Sequence, residues 1–381
     1  MTEPLSSIAG RAERILFVRL SAIGDLVFAS PLISALRRAR PDAHIAWLVR
    51  PECAPLLDRH PDLDEIIRCP VADWARLWRR GRLIELARSI RRLRAELHAR
   101  RFDLAIDLQG LLQSGLLTRL SSAPERVGLG SREGSQWLMT RRLPRGGESK
   151  RISSEYLYLA EQLGLPVPPF DMAVHYDAAD AAFADDVIAG EGLAGGYAVL
   201  CPFTTRPQKH WIEARWAPLA ARVHDDLGLI PALLGGPSDR GAAGRIAAAA
   251  GGPLVDLTGR TSLRQAAALI HRARLLVAVD TGLGHMGIAF GRPSLLLFGS
   301  TCPYLDTTRA NARVLYHRMD CSPCKRRPTC EGRFDCMRAI GVDEVIAAAG
   351  EVMDVPSARD ADAADGPDRE LPETAHGRQL H

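Results

Sequence analysis

One unit of the sequence, residues 275–298, most constrains the fold. An apolar run at 275–279 is followed by a polar turn with two glycines, a run of small residues and a second apolar run at 294–298. This order predicts a buried strand, a turn, a helix and another buried strand, as in a parallel α/β sheet. Ligands in such sheets bind at the carboxyl ends of strands, beside free N–H groups of the next helix. We therefore predict a phosphate- or nucleotide-binding turn at 280–285.

The same alternation of apolar runs and helical segments recurs along both halves of the chain. Predicted strands rich in β-branched residues lie at 14–20, 44–49, 65–69, 102–107, 197–201, 230–234 and 254–256. Prolines at 166, 168 and 169 form a stiff segment between the halves. Two α/β domains with parallel sheets, and a cleft between their strand ends, follow from this pattern.

A length of 381 residues also suits two domains. We predict a flexible tail at 1–11, an N-terminal domain at 12–172, a C-terminal domain at 173–352 and a disordered tail at 353–381. The last segment is rich in Asp, Ala, Pro and Glu, a composition that cannot bury enough apolar surface to fold.

Composition indicates a soluble globular protein, with 46% hydrophobic and 25% charged residues. No apolar run approaches the roughly 18 residues that span a bilayer. The N-terminus does not resemble a signal peptide. We therefore expect a cytoplasmic protein.

Charge is distributed unevenly along the chain. Residues 1–170 contain 27 Lys or Arg and 19 Asp or Glu, whereas the remainder contains 22 and 26. Residues 74–101 include ten Arg and two Glu. This segment predicts contact with an anionic partner such as a phosphorylated lipid or a nucleic acid, or is a solvated helix face. Few aromatic residues interrupt the Arg run, which disfavours a single-stranded nucleic-acid platform.

The turn after the first predicted strand, residues 21–25, is the first candidate site. The chain lacks G-x-G-x-x-G and G-x-x-x-x-G-K-[ST], which disfavours a dinucleotide dehydrogenase and a P-loop NTPase. In their place Gly24 permits a sharp turn, and Asp25 follows at the strand end. Asp25 is either a general base facing the cleft or a cap of the next helix.

Polar residues also follow strands in the second half. Thr204, Thr205 and Lys209 provide two hydroxyls and an ammonium that suit a diphosphate, or they belong to an ordinary exposed loop. Asp239 either accepts hydrogen bonds from ribose hydroxyls or stabilises its own turn. His285 is either a phosphate neighbour or a core histidine.

Four cysteines cluster in the sequence as C-x2-C-x5-C-x5-C. They are either zinc ligands or members of a reduced structural loop, and no second C-x2-C pair matches the first. We assign them no chemical role and predict no metal for the site; the cluster is Cys321, Cys324, Cys330 and Cys336.

Five motifs, read in this order, resemble the ADP-heptose–lipopolysaccharide heptosyltransferases of glycosyltransferase family 9. They are RLSAIGD at 19–25, DLQG at 107–110, TTRPQKHW at 204–211, GGPSD at 235–239 and VDTGLGH at 279–285. The resemblance extends from about residue 14 to residue 349. It implies an α/β fold of the GT-B type, with two Rossmann-like domains whose parallel sheets face an interdomain cleft. It also implies an acceptor site on the first domain, a donor site on the second, inversion at the anomeric carbon, and no metal or cofactor.

The resemblance also implies residue roles. Asp25 would take the proton from the acceptor hydroxyl, and Lys209 would hold the diphosphate with Thr204 and Thr205. Asp239 would lie near the ribose. The remaining donor-side residues would be Asp280, Thr281, Gly282 and His285, and the acceptor-side residues Ser21, Gly24 and Gln109.

The predicted function is transfer of heptose from ADP-heptose to the lipopolysaccharide core. The expected partners are ADP-heptose and an acidic glycolipid of the lipopolysaccharide core or lipid A type, with peripheral contact to the inner face of the inner membrane and no nucleic acid. Alternatives are another GT-B enzyme with a different nucleotide sugar or acceptor, a sugar-nucleotide epimerase, and a non-catalytic nucleotide or nucleic-acid binder.

Overall fold

The computed structural model describes residues 3–301, 304–324 and 327–355. The strands of the N-terminal half form one six-stranded sheet. They are β1 (Arg14–Val18), β2 (His44–Val49), β3 (Glu65–Arg68), β4 (Leu104–Asp107), β5 (Glu125–Leu129) and β6 (Arg141–Leu143). Their order is β3-β2-β1-β4-β5-β6, and every neighbouring pair is parallel.

The C-terminal half forms a second parallel sheet of six strands. They are β7 (Tyr197–Cys201), β8 (Ile230–Leu233), β9 (Val255–Asp256), β10 (Leu275–Val279), β11 (Ser294–Phe298) and β12 (Ala312–Tyr316). The order β12-β11-β10-β7-β8-β9 repeats that of the first sheet. In each sheet the strand order therefore reverses between the first and fourth strands, which is where doubly wound sheets bind ligands.

Helices cover both faces of each sheet. In the N-terminal half they are α1 (Leu5–Arg11), α2 (Ile23–Ala29), α3 (Pro31–Ala39), α4 (Val71–Arg79), α5 (Leu83–Ala99), α6 (Leu112–Leu120) and α7 (Ser154–Gln162). In the C-terminal half they are α8 (Ala178–Gly190), α9 (Trp216–Leu227), α10 (Arg240–Ala249), α11 (Leu263–Arg272), α12 (Gly282–Ala289), α13 (Asp335–Arg338) and α14 (Val342–Met353). Short 3-10 helices lie at Ala54–Leu56, Ser135–Leu138, Leu193–Gly195, Pro207–Lys209, Glu213–Arg215 and Pro237–Asp239.

Strand β1 illustrates why the sheets are buried on both faces. Ile15 and Phe17 point into one apolar cluster, whereas Leu16 and Val18 point into another. All four side chains are fully buried, as expected for a parallel strand covered by helices on both sides. None of the helices formed by the described residues is both long and apolar enough to span a membrane.

The first helical region differs from the sequence prediction. Residues 21–25 were expected to form a turn, but α2 begins within them at Ile23 and ends at Ala29, and α3 follows it. Pro31 is the first residue of α3, where the missing N–H has no intrahelical partner to lose. The early start of α2 places Asp25 in its first turn.

The predicted flexible tail at 1–11 is wrong for most of its length. Leu5–Arg11 forms α1, and Ile8 and Ala9 of this helix are buried in the core of the N-terminal half. At the other end of the chain, α14 ends at Met353, and residues 356–381 of the predicted disordered tail lie outside the described residues. The boundary expected at residue 172 falls between the last strand of the first sheet and the first strand of the second.

Candidate active site

A cavity of about 880 Å³ lies at the carboxyl ends of the central strands, and both halves line it. The N-terminal half contributes the start of α2, and the C-terminal half contributes the loops after β7, β8, β10 and β11. Ten predicted site residues line this cavity together: Gly24, Asp25, Thr204, Thr205, Lys209, Asp239, Asp280, Thr281, Gly282 and His285. Ser21 and Gln109, predicted on the acceptor side, are not among the described lining residues.

Asp25 is held at the N-terminal end of α2 by two contacts. Its Oδ2 forms an ion pair with Nη2 of Arg19 and accepts a hydrogen bond from the Ala22 N–H at 3.2 Å. Arg19 is buried, and its Nη1 donates to the Leu108 carbonyl oxygen at 2.7 Å. The Asp25 side chain nevertheless remains 37% exposed at the cavity wall. Asp25 therefore stabilises its own turn and presents a carboxylate to the cavity.

The motif at 107–110 supports this turn from behind. The Leu20 N–H donates to Gln109 Oε1 at 3.0 Å. Asp107 is fully buried and accepts from the N–H groups of Gln109 and Gly110 at 2.9 and 3.0 Å, and from the Ser114 hydroxyl at 3.0 Å. These hydrogen bonds act to lower the pKa of the Asp107 carboxyl, but burial outweighs them and raises it. Gln109 thus positions the chain that leads into the Asp25 turn.

Asp280 is the centre of a polar network on the opposite wall. Its Oδ2 lies 2.7 Å from Lys209 Nζ and accepts from the Thr301 hydroxyl at 2.6 Å, while its Oδ1 lies 3.5 Å from His285 Nε2. Burial acts to raise the pKa of Asp280, but the His285 hydrogen bond and the Lys209 charge outweigh it and hold this pKa well below its usual range. Asp280 is therefore ionised and is the counter-ion of Lys209.

His285 is satisfied by side chains on both ring nitrogens. Its Nδ1 lies 2.7 Å from the hydroxyl of Tyr304, and burial raises the pKa of that hydroxyl well above its usual value. Because the ionised Asp280 can only accept, Nε2 of His285 donates to it, while Nδ1 shares its hydrogen bond with the Tyr304 hydroxyl. His285 is buried, as expected for a core histidine, and its ring also lines the cavity.

The loops after β7 and β8 carry the other predicted donor-side residues. The Thr204 carbonyl oxygen lies 2.8 Å from His210 Nε2, and the Thr204 hydroxyl lies 3.4 Å from the Asp280 carbonyl oxygen. Asp239 Oδ2 accepts from the Gly236 N–H at 2.8 Å. Asp239 therefore stabilises its turn while it faces the cavity.

The two walls meet where α2 and α12 touch. A Cβ on Gly24 would lie 2.4 Å from His285 Cδ2, and a Cβ on Gly282 would lie 2.5 Å from Ile23 Cγ2. The Phe28 ring also lies 4.5 Å from the His285 ring, measured between centroids. Only glycine allows this approach at 24 and 282, so the first turn of α12 and its N–H groups lie beside the Asp25 turn.

Sequence reasoning assigned no role to three residues that complete the network. Arg19 stands at the end of β1 within a recognised motif, so its position was a usable signal. Thr301 and Tyr304 follow β11, whose strand was expected. Gly299 follows that strand directly, but none of the motifs recognised in the sequence includes the segment after it, and only the parallel sheet brings this segment beside Asp280.

The cysteine cluster lies outside the cavity. Cys321, Cys324, Cys330 and Cys336 are free thiols, and a Cβ on Gly299 would lie 2.8 Å from Cys336 Sγ. Within 3–301, 304–324 and 327–355, no three His, Cys, Asp or Glu side chains are grouped so that they could hold a metal ion.

Comparison with known families identifies the chain. The profile of glycosyltransferase family 9 (heptosyltransferase) matches residues 90–334, which is more than half of the 381 residues. The chain belongs to glycosyltransferase family 9. This confirms the family that the five motifs predict, and with it a glycosyltransferase.

Relatives in the family match most of the chain. Lipopolysaccharide heptosyltransferase 1 of Pseudomonas aeruginosa is 31% identical over 339 residues, which cover 85% of this chain and 92% of that protein. The protein of the same name from Escherichia coli K12 is 28% identical over 305 residues, which cover 77% and 89%.

Solved structures of the family confirm the predicted GT-B fold. A family 9 glycosyltransferase from Veillonella parvula aligns with a TM-score of 0.74 at 22% identity, covering 90% of this chain and 97% of that one. The E. coli heptosyltransferase WaaC with ADP aligns with a TM-score of 0.68 at 26% identity, covering 89% and 99%.

Proposed function

We propose that this family 9 enzyme transfers heptose from ADP-heptose to the lipopolysaccharide core. The observation that carries the proposal is that one cavity is lined from both domains. Asp25 of the first domain faces it, and so do Lys209 and the N-terminus of α12 from the second. Heptosyltransferase relatives at 28–31% identity, and the E. coli heptosyltransferase with ADP, support the choice of sugar and nucleotide.

The second domain is suited to the leaving group. When the bond between sugar and phosphate breaks, negative charge builds on the diphosphate. Lys209 supplies a cation at this wall, and the first turn of α12 supplies N–H groups at the positive end of a helix dipole. The Thr204 and Thr205 hydroxyls add neutral donors. In this proposal these groups do the work for which other transferases use a metal, and the reaction is metal-independent.

The first domain is suited to activation of the acceptor. In our proposal the exposed carboxylate of Asp25 takes the proton as the acceptor oxygen attacks the anomeric carbon. A base on one wall and a leaving-group site on the other fit displacement from opposite faces of the sugar, which inverts the anomeric carbon. Arg19 is a positioning residue, because its buried guanidinium fixes the carboxylate through an ion pair.

We further propose that the enzyme works in the cytoplasm at the inner face of the inner membrane. The acceptor is an acidic glycolipid, so its lipid part stays in the bilayer while the sugar enters the cavity. The excess of Lys and Arg in residues 1–170 complements an anionic leaflet and the acceptor's own charges.

A transfer assay tests the reaction. Wild-type protein is incubated with ADP-heptose and extracted lipid acceptor, and we expect a mass gain of one heptose on the acceptor. Asp25→Asn should lower turnover by at least about 100-fold, as loss of a general base does, while calorimetry finds ADP affinity within about threefold of wild type.

Glu52→Gln is the matched control, because Glu52 is another carboxylate of the N-terminal half at the cavity wall. It should keep most of the turnover. Near-normal turnover in Asp25→Asn would exclude Asp25 as the base. Thermal shifts with ADP, UDP and GDP test the donor, and a clear preference for UDP or GDP would contradict ADP-heptose.

A further inference from the structure

The described residues include seven large apolar side chains that are exposed, and six of them belong to the N-terminal half. Three lie in or beside one turn, between α4 and α5: Trp78 is 67% exposed, Leu83 is 53% exposed and Ile84 is 70% exposed. The other three in this half are Leu112, Leu116 and Trp137. Exposed apolar side chains that cluster in one short segment, unlike apolar residues scattered singly over a surface, mark an interaction site.

We call residues 77–84 the hairpin tip. Its backbone is ordered by hydrogen bonds from the Gly81 N–H to the Trp78 carbonyl oxygen and from the Arg82 N–H to the Leu77 carbonyl oxygen, each at 3.0 Å. Below the tip, Trp74 Nε1 donates to Ser89 Oγ at 2.7 Å. Leu93 and Leu97, in the second half of α5, are buried against the first sheet. The exposed side chains therefore stand on a rigid support.

Arginines surround the hairpin tip. Residues 71–99 contain eight Arg and three acidic residues, a net charge of +5. Each acidic residue is paired within the hairpin, in Arg76–Asp73, Arg82–Glu85 and Arg92–Glu96. The other arginines have no acidic partner among the described residues; they are Arg79, Arg80, Arg88, Arg91 and Arg94. A bare apolar tip that carries two unneutralised cations, Arg79 and Arg80, with further unpaired arginines along α5, is complementary to an anionic lipid surface.

The hairpin tip lies on the same side of the sheet as the cavity. α4 follows the carboxyl end of β3, and α5 leads back to the amino end of β4, so the turn between them lies at the carboxyl edge. Leu112, Leu116 and Trp137 follow the carboxyl ends of β4 and β5, and α5 contacts α6. A lipid surface that meets this edge also faces the domain that carries Asp25.

We propose that the hairpin tip inserts Trp78, Leu83 and Ile84 into the head-group region of an anionic phospholipid bilayer, while the surrounding arginines bind the phosphates. This inference rests on the proposed function in one respect, since it assumes an acceptor that is anchored in the bilayer. A nucleic acid would not use the tip in the same way, because Leu83 and Ile84 offer no ring on which a base could stack.

Vesicle sedimentation tests the proposal. Wild-type protein is mixed with vesicles of phosphatidylcholine alone or with about one third phosphatidylglycerol. We expect binding to the anionic vesicles, weakened by salt. The double variant Trp78→Ser with Ile84→Ser should bind at least tenfold more weakly. Arg79→Glu with Arg80→Glu should do the same through charge, and it keeps the test informative if the first variant unfolds.

Leu305→Ser is the matched control, because Leu305 is an exposed leucine of the C-terminal half, and its vesicle binding should be unchanged. A second readout is quenching of tryptophan fluorescence by brominated lipid. Trp78→Phe should keep the binding and lose part of the quenching. All these variants should transfer heptose to a delipidated acceptor at the wild-type rate.

Wild-type levels of binding in both double variants, or equal binding to neutral and anionic vesicles, would overturn the proposal. Displacement of the protein from vesicles by short DNA or RNA at matched charge would favour a nucleic-acid surface instead. Vesicle binding needs no ADP-heptose, so failure of the transfer assay with intact vesicle binding would refute the proposed function and leave the lipid surface standing.

Discussion

The contact between α2 and α12 makes Gly282→Ala a sharp test of how the two domains meet. A Cβ at this position would lie 2.5 Å from Ile23 Cγ2, 2.6 Å from Ile23 Cβ and 3.1 Å from the Gly24 nitrogen. Carbon atoms in favourable contact lie about 3.5–4.0 Å apart. The methyl group therefore needs about 1 Å more space, and backbone atoms supply part of the obstruction. Relief requires that the helices separate.

Overpacking of this kind costs about 1–3 kcal/mol. If the domains yield by opening, that cost falls on the closed arrangement in which both walls reach the substrates. At about 1.4 kcal/mol for each factor of ten, kcat/KM should fall roughly 5–150-fold. The melting temperature should fall as well, because the α2–α12 contact is part of the folded state.

The assay measures transfer rates and thermal unfolding on the same preparations. Gly244→Ala in α10 is the control, since a Cβ there meets nothing within 4 Å, and it should keep turnover and slightly raise stability. Adding Ile23→Gly to Gly282→Ala removes the obstructing side chain and should recover part of the loss. Wild-type turnover and melting temperature in Gly282→Ala would refute the described contact.

Three further predictions concern charge. Lys209→Met should weaken ADP binding by about 10–150-fold in calorimetry, because a charge-assisted contact worth about 1.5–3 kcal/mol is lost; unchanged affinity would contradict the diphosphate role. Asp280→Asn should lower the melting temperature, since Lys209 loses its buried counter-ion. Burial, aided by the neighbouring His175, lowers the pKa of His60 to about 4 from about 6.5 when unfolded. The unfolded chain therefore binds a proton first as pH falls, and about 3 kcal/mol of stability should be lost between pH 7 and pH 4. In His60→Gln the free energy of unfolding, measured with urea, should depend less on pH in this range.

The strands and the turns that follow them could be predicted from the sequence where the strand is apolar and its turn contains glycine. The unit from β10 to β11 has both features, and its predicted turn lines the cavity in the structure. β5 and β6 were missed because their sequences include Arg126, Arg141 and Arg142, which mask the apolar signal of short strands. α1 was missed because only two of its residues, Ile8 and Ala9, are buried.

The site was predictable where one residue lies close to a recognisable turn, as Asp25 and Asp280 do. It was not predictable where partners come from distant segments. Thr301 reaches Asp280 from 21 positions away, and Tyr304 reaches His285 from 19 positions away. The local sequence does not indicate such contacts, because they form only when β10 and β11 pair in parallel and bring their following loops together.

The pairing of Lys209 with Asp280 bears on selectivity. A lone ammonium at a pocket wall would attract many of the small anions in a cell. In the proposed donor site an incoming diphosphate would compete with an internal carboxylate for the same lysine, so a single phosphate or chloride would gain little by displacing it. Ligands that also engage neighbouring groups overcome this competition, and the pocket is thereby biased towards extended polyanions.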